Sequence, residues 1–166
     1  MTQKRQFELP QRTGSRPLTG AQPPHLQFSD QSPRPIYQQM SQWALVGLPA
    51  RIPFVRHHPT MISVPTSEAL WLDESVRAAR SAFMPPPGSR EFAHLHADGS
   101  WHLVVSEALV EAILDAGWGE RHPWYDRGVL EVLVYAARDE AEMRLVQKLV
   151  LASIEYASNT PLNAVA

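Results

Sequence analysis

Apolar and polar positions alternate most clearly in the second half of the chain. Residues 91–96 and 101–105 show the period of two that is typical of strands, and Asp98-Gly99 between them is typical of a turn. Residues 130–135 are rich in β-branched and apolar side chains, which favours a further strand. The sequence therefore predicts a β-hairpin and, later in the chain, a third strand.

Two helices are predicted on either side of that third strand. A serine can cap a helix over 106–116, which has an apolar stripe along one side, and Gly117 is placed to end it. Asp139 and Glu142 have the spacing of a capping box, and the helix that they begin extends to about residue 157. The order β-β-α-β-α predicts an α+β fold, in which helices pack on one face of a mostly antiparallel sheet.

The first half of the chain contains most of the prolines, and its elements are shorter. Residues 35–48 predict a helix that a glycine and a proline end. Residues 60–64 and 69–72 predict two strands, and the charged stretch 73–80 predicts one or two helical turns.

Residues 1–35 are interpreted separately because they are polar and rich in proline. They form either a disordered leader or an extended arm laid over the domain, since a few apolar side chains offer anchors. Residues 36–166 are expected to form a single α+β domain.

Composition narrows the class of protein. A chain of 166 residues with 44% hydrophobic content suits one globular domain, and its net charge of −2 gives no reason to bind nucleic acid or an anionic membrane. The absence of cysteine excludes disulfides, thiolate metal sites and cysteine nucleophiles. Because residues 1–12 lack an apolar signal core and no stretch approaches about 20 apolar residues, we expect a soluble cytoplasmic protein without a membrane partner.

The predicted hairpin carries three of the seven histidines, and its turn length decides whether they converge. A two-residue turn would point His102 away from His94 and His96. A three-residue turn over 97–99, with Gly99 in the left-handed conformation, pairs His94 with His102. This register separates the side chains cleanly into an apolar face of Ala93, Leu95, Trp101, Leu103 and Val105, and a second face of Phe92, His94, His96, Ser100, His102 and Val104. Because burial determines register, we favour the three-residue turn.

His94, His96 and His102, called here the histidine trio, are the central candidates for chemistry. Convergent imidazoles can bind a divalent first-row metal with positions left open for substrate or oxygen. They can also act without a metal, as proton acceptors and donors near neutral pH. Phe92 on the same face is predicted to contact the substrate. The alternative is that the imidazoles lie on a solvated sheet face.

A second cluster, at residues 117–124, follows the predicted helix end in a loop. Trp118 and Trp124 can stack on a flat aromatic substrate, and Arg121 and His122 can contact an acidic hydroxyl or an enolate. Packing of Trp118 in the core is the alternative. The pair His57-His58 is interpreted as a solvated part of a loop.

Four stretches, in order and with similar spacing, resemble the fungal luciferase family. They are REFAHLH at 90–96, WHL at 101–103, GWGERHP at 117–123 and YAARDE at 135–140. Residues 152–156 also fit the family's last helix. The leader resembles the family at 14–17 and 25–27, which implies that it belongs to the fold.

The resemblance implies an oxidoreductase of the oxygenase or monooxygenase kind, with O2 as co-substrate and neither flavin nor nucleotide. Fungal luciferases oxidise a hydroxylated pyrone to a peroxide that loses carbon dioxide and emits light. On this pattern the trio and His122 are catalytic and His25 contacts the substrate. The family's membrane anchor has no counterpart here, so we expect an anchorless relative. The family's turn is two residues longer, an even change that keeps His102 on the same face.

Three other functions stay open at this point. The trio can activate water in a metal-dependent hydrolase or lyase. The indoles of Trp101, Trp118 and Trp124 can form the walls of a non-catalytic site for small aromatic compounds. The histidines can also be incidental to a structural or interaction domain. The sequence leaves undecided the oligomeric state and whether Glu91, Glu120 or Asp126 supports the histidines.

Overall fold

The computed structural model describes residues 7–164. Within this range, six strands form one antiparallel sheet in the order β1-β2-β3-β4-β6-β5. The strands are β1 (Val55–Pro59), β2 (Glu68–Leu72), β3 (Glu91–Leu95), β4 (Trp101–Leu103), β5 (Gly119–Arg121) and β6 (Val132–Val134). The helices are α1 (Arg34–Gln42), α2 (Leu48–Arg51), α3 (Glu107–Asp115) and α4 (Glu140–Ser158). This architecture confirms the predicted α+β fold.

The hydrophobic core lies between one face of the sheet and the helices. Ala93 and Leu103 of the sheet and Val146 and Val150 of α4 are fully buried in one cluster. Each valine or leucine side chain of this kind contributes about 1.5–3 kcal/mol on burial. Ser153 of α4 donates its hydroxyl to the carbonyl of Val104 at 2.8 Å. The helices therefore occupy the apolar face and leave the histidine face to other parts of the chain.

The hairpin of β3 and β4 has the predicted register. His94 lies opposite His102, and the backbone N–H of His96 donates to the carbonyl of Ser100 at 2.9 Å. Gly99 ends the turn with a φ of +93°, a conformation that glycine adopts without strain. The three-residue turn and the convergence of the trio are confirmed.

The predicted helix starts of α3 and α4 are also confirmed. The Ser106 hydroxyl accepts a hydrogen bond from the N–H of Leu109, and Asp139 Oδ1 accepts one from the N–H of Glu142. Each cap satisfies a backbone donor that the first helical turn leaves without a partner.

The first helix does not end where the sequence predicted. A π-helical turn over Trp43–Gly47 joins α1 to α2, and the helical segment continues past Gly47 and Pro49 to Arg51. The wider turn accommodates the ring of Pro49, which lies in the first turn of α2, where its missing N–H is tolerated. Composition alone does not reveal this turn.

The predicted strand at 60–64 is wrong, because the first strand lies one segment earlier. The Thr60 hydroxyl accepts hydrogen bonds from the N–H groups of Ile62 and Ser63 and folds this segment into a turn. β1 instead contains His57 and His58, which are exposed on an edge strand and not in a loop. An edge strand with mostly solvated side chains has no apolar alternation by which to recognise it.

Two further expectations are corrected. Residues 119–121 form strand β5 and not a loop; a Cβ on Gly119 would lie 2.2 Å from the Leu133 carbonyl oxygen, so glycine permits this close pairing. The stretch 73–80 contains one turn at Asp73 and not a helix, and a short 3₁₀-helix over Arg80–Ala82 follows.

Of the predicted arm over 1–35, residues 7–33 are ordered and extend across the domain, residues 34 and 35 begin α1, and residues 1–6 lie outside the described part of the chain. The N–H of Arg12 donates to the carbonyl of Ala116 at 2.9 Å, and the side-chain oxygen of Gln27 accepts from the N–H of Ala136 at 2.9 Å. A loop closed by a bridge between Thr19 and Gln27 lies against the histidine face. None of the helices in the described part of the chain is both long and apolar enough to cross a membrane.

The turn that aligns the histidines is tested by Gly99→Ala. A Cβ at this position would lie 2.2 Å from Ser32 Oγ in addition to the strain of a positive φ. We expect the free energy of unfolding to fall by about 2–4 kcal/mol, the sum of backbone strain and overcrowding, measured by urea denaturation.

Gly88→Ala is the matched control. Gly88 has a φ of +88°, but a Cβ there would meet no atom within 4 Å. Its substitution should cost only the backbone strain of about 1–2 kcal/mol. Equal losses for the two variants would contradict the packing of the turn against the arm.

Candidate functional site

A cavity of about 350 Å³ lies between the histidine face of the sheet and the arm. Its polar wall consists of His25, His94, His102, His122, Glu131 and Ser63. Its apolar wall includes Pro24, Ile62, Val129 and Trp124. A pocket that is mostly apolar, with a few convergent polar groups, is the usual form of a small-molecule site.

His94 and His102 of the histidine trio line this cavity, and His96 lies beside them on the wall of a neighbouring pocket. His94 Nε2 and His102 Nδ1 lie 2.9 Å apart, and one ring nitrogen from each of the three residues lies within 4.8 Å of the others. His96 Nδ1 pairs with Ser100 Oγ at 2.9 Å. All three imidazoles are buried, so their separation is determined by packing and not by solvent.

Two carboxylates and a histidine of the arm extend the contacts of the trio into a chain. Glu91 accepts a hydrogen bond from His94 Nδ1 at 2.8 Å. His25 Nδ1 lies 2.9 Å from His102 Nε2, and His25 Nε2 lies 2.8 Å from Glu120 Oε1. We call the series Glu91–His94–His102–His25–Glu120 the histidine chain.

The histidine chain has one more contact than three neutral imidazoles can satisfy. Each of its four contacts needs one N–H proton. Three neutral imidazoles together carry three such protons, and an ionised carboxylate carries none. When Glu91 and Glu120 both accept, one pair of ring nitrogens presents two facing lone pairs. The chain therefore needs one additional positive charge, either a proton or a metal ion.

Glu120 holds the surface end of the chain. Its carboxylate accepts hydrogen bonds from His25, Thr19, Arg16 and Tyr135. Burial alone would raise the pKa of Glu120, but these donors lower it to about 2. The ionised carboxylate thereby joins the arm to β5 and to the residue that follows β6.

Glu131 is a buried carboxyl group beside the trio. Its Oε1 lies 3.7 Å from His102 Nδ1, and its Oε2 has no hydrogen-bond partner within the described structure. Burial raises its pKa to about 7. An unpaired buried oxygen of this kind is unfavourable by about 1–3 kcal/mol, so its position calls for a functional reason.

Three of the imidazoles, those of His96, His102 and His122, are held in the neutral form. Burial, followed by repulsion from neighbouring histidines, lowers the pKa values of His96 and His102 well below the usual range. Burial likewise lowers the pKa of His122 to about 4. Neutral imidazoles offer lone pairs near pH 7, which can accept hydrogen bonds or bind a metal ion.

His122 and Trp124 reach the cavity from the loop after β5. The N–H of Trp124 donates to His122 Nδ1 at 3.1 Å, which leaves the proton of the neutral ring on Nε2. The His122 ring lies 5.5 Å from the rings of both His25 and His102. The sequence prediction named both residues, and the structure brings them together.

Three predicted substrate contacts lie elsewhere. Phe92 is buried in the core because a bulge pairs Trp71 with Glu91 and thereby places Glu91 on the histidine face. Trp118 is buried and donates its indole N–H to the Pro10 carbonyl. Arg121 pairs with Glu107 and Glu111 of α3, because alternate residues of β5 point to opposite faces.

Trp101 also packs in the core, so Trp124 is the single indole among the residues that line the cavity. The hypothesis of a non-catalytic aromatic site required three tryptophans around one cavity, and the cavity has one. Convergence of the imidazoles likewise removes the support for an interaction domain with incidental histidines.

Sequence reasoning missed Glu131 and left Glu91 and Glu120 undecided. Glu91 and Glu131 lie in or next to strands whose other residues are buried, and a charged residue in an apolar strand pattern was the available signal for these two. Glu120 lies in the short strand β5, which has no apolar pattern. Asp126, the third undecided residue, is exposed and belongs to the short 3₁₀-helix over Tyr125–Arg127.

The chain is similar in sequence to fungal luciferases. Residues 89–153 match the luciferase domain family. The chain is 28% identical to a luciferase of Armillaria gallica and 30% identical to one of Armillaria ostoyae, each over 95% of this chain and 64% of the relative. A luciferase of Neonothopanus nambi is 39% identical over 43% of this chain and 30% of its own length. No solved structure matches the chain.

The role of Glu120 in holding the arm is tested by Glu120→Gln. The substitution removes the charge that four donors share, and we expect the free energy of unfolding at pH 7 to fall by about 2–3 kcal/mol. Glu111→Gln, which breaks an exposed ion pair with Arg121, should change it by no more than about 0.5 kcal/mol.

The stability difference between wild type and Glu120→Gln should also depend on pH. Because the folded pKa of Glu120 is about 2, below its usual value of 4.5, its stabilisation is complete above pH 4.5 and is lost as the pH falls toward 2. The difference between wild type and Glu120→Gln should shrink over that interval. A difference that stays constant down to pH 2 would show that the carboxylate does not hold the arm.

Proposed function

Because the chain belongs to the fungal luciferase-like family, we propose that its cavity promotes the oxidation of a small, electron-rich, enolisable compound by O2. The observation that carries this proposal is the combination of an apolar cavity with the basic atoms of the histidine chain and Glu131. A hydroxypyrone or a related phenolic compound has the matching chemistry, since it is flat and carries an acidic hydroxyl.

The cavity walls favour a flat ring. Trp124 and Ile62 lie on the apolar side, and both are partly exposed, so a substrate can cover them on binding. An aromatic contact of this kind contributes about 0.5–1.5 kcal/mol beyond the apolar area that it buries. The hydroxyl of the bound ring would then point toward the imidazoles.

The polar wall suits removal of the hydroxyl proton. The unpaired carboxylate oxygen of Glu131, whose pKa is raised by burial to about 7, is a basic atom that can accept it. The Nε2–H of neutral His122 is a hydrogen-bond donor for the negative oxygen that results. The deprotonated substrate is then electron-rich enough to react with oxygen.

The oxygen step balances without a further oxidant. The enolate carbon gives its electron pair to O2 in two one-electron steps, a C–O bond forms, and both oxygen atoms stay in the product as a carbon-bound peroxide. The proton held by the polar wall can return to the terminal oxygen. An apolar wall that excludes water protects a peroxide of this type. The relatives are luciferases, so light emission from this product is part of the proposal.

Oxygen consumption with a hydroxypyrone bearing a catechol arm tests this function, with light emission as a second signal. We expect uptake of one O2 per substrate by wild type. His122→Ala should lower kcat by about 10²–10³, as the loss of a donor to a developing oxyanion does. Trp124→Ala should raise KM by about tenfold with little effect on kcat, as the loss of uniform binding does.

His57→Ala is the matched histidine control, because His57 is an exposed residue of β1 outside the cavity. Its kcat and KM should equal those of wild type. The proposal fails if wild type consumes no oxygen with hydroxypyrones or catechols, or if His122→Ala and His57→Ala behave alike.

A further inference from the structure

We propose that His94, His96, His102 and Glu131 bind one divalent first-row transition metal ion. The proposal adds an ion to the cavity of the proposed function, but binding of the ion does not depend on the reaction. It follows from the unsatisfied contacts of the site, which an ion relieves more completely than a proton does.

The remote nitrogen of each trio member already has a partner. His94 Nδ1 bonds to Glu91, His96 Nδ1 to Ser100 Oγ, and His102 Nε2 to His25. The nitrogens available to an ion are therefore His94 Nε2, His96 Nε2 and His102 Nδ1. Metal-binding histidines commonly have this arrangement, in which an outer partner fixes the tautomer and the ring orientation.

The spacing of the inner nitrogens fits a shared ion. His94 Nε2 and His102 Nδ1 lie 2.9 Å apart. Two nitrogens about 2.1 Å from one ion, at a right angle, are separated by about 3.0 Å. When His102 donates its Nε2–H to His25 Nδ1, its Nδ1 lone pair faces that of His94 Nε2, and an ion between the two removes their repulsion.

Glu131 supplies an independent observation at the same place. Its side chain is 2% exposed, its Oε1 lies 3.7 Å from His102 Nδ1, and its Oε2 has no partner within the described residues. A proton shared by two imidazoles would leave this oxygen unpaired. A cation among the imidazoles would attract it as a fourth ligand.

The charge of the region also favours a divalent ion. Glu91 and Glu131 are both buried, and two buried carboxylates without full positive compensation are strongly unfavourable. Three imidazoles and one carboxylate suit manganese, iron, cobalt, nickel or zinc, whereas calcium and magnesium prefer oxygen ligands. Such a set leaves coordination positions open toward the cavity, where the charge of the ion would stabilise an enolate.

Cobalt binding tests the proposal without any substrate. The full chain is purified without a polyhistidine tag, stripped with a chelator and titrated with Co²⁺. We expect visible d–d absorption that saturates at one ion per chain, and a melting temperature that rises with Co²⁺ concentration as linkage requires.

Glu131→Gln and His96→Ala should each weaken Co²⁺ binding by at least tenfold. The double variant His57→Ala/His58→Ala, which removes the exposed histidine pair of β1, should bind like wild type. If Glu131→Gln or His96→Ala does not fold, the spectrum and the melting shift of wild type still decide the question.

Two results would overturn the metal site. One is substoichiometric Co²⁺ binding by wild type, with imidazole nitrogen NMR showing a proton held in the histidine chain instead. The other is binding that the β1 double variant abolishes and Glu131→Gln does not affect. Either result would leave the oxygen-uptake test of the proposed function unchanged, so the two failures are distinguishable.

Discussion

The hydrogen bond between His25 and His102 is the contact on which the site depends. It joins two rings that are 77 residues apart in the chain, at 2.9 Å, and both rings are buried. On one side it continues through His94 to Glu91, and on the other it reaches Glu120. The histidine chain therefore connects the arm, the central hairpin and the edge strand β5 in one series of polar contacts.

Such a series is costly unless every member has a partner. Buried imidazoles and carboxylates lose their hydration, and a partly satisfied network is less favourable than an apolar core. Most polar groups of the site have partners, but Glu131 Oε2, beside the histidine chain, has none within the described residues, and the count of protons leaves one contact of the histidine chain without a donor. The unsatisfied groups lie together at the cavity, which is where chemistry or cation binding would use them.

The similarity to fungal luciferases also has a structural meaning. The matched domain over 89–153 contains strands β3 to β6 and the ionisable residues of the cavity other than His25. The arm supplies that last ring and closes the cavity, so the domain segment alone would have an open histidine face. The chain spans 64% of the length of the Armillaria luciferases.

The sequence was sufficient to predict those features that residues close together in the chain determine. The hairpin register followed from the turn glycine and from the segregation of apolar and imidazole side chains, and the caps of α3 and α4 followed from single polar residues. The convergence of the trio was thus predictable from a stretch of about ten residues, because a strand pair with one buried face permits one register.

The rest of the site was decided by tertiary structure. Sequence alone could not place His25 over His102, because the arm contacts the sheet across a long chain separation. It could not show that Glu91, and not Phe92, lies on the histidine face, because the bulge that decides this arises from pairing with β2. It missed β1 and β5, since a solvated edge strand and a three-residue strand have no periodicity to detect. The amino-acid sequence by itself determined which imidazoles meet on the hairpin, and only the packing of distant segments decided which carboxylates and which walls surround them.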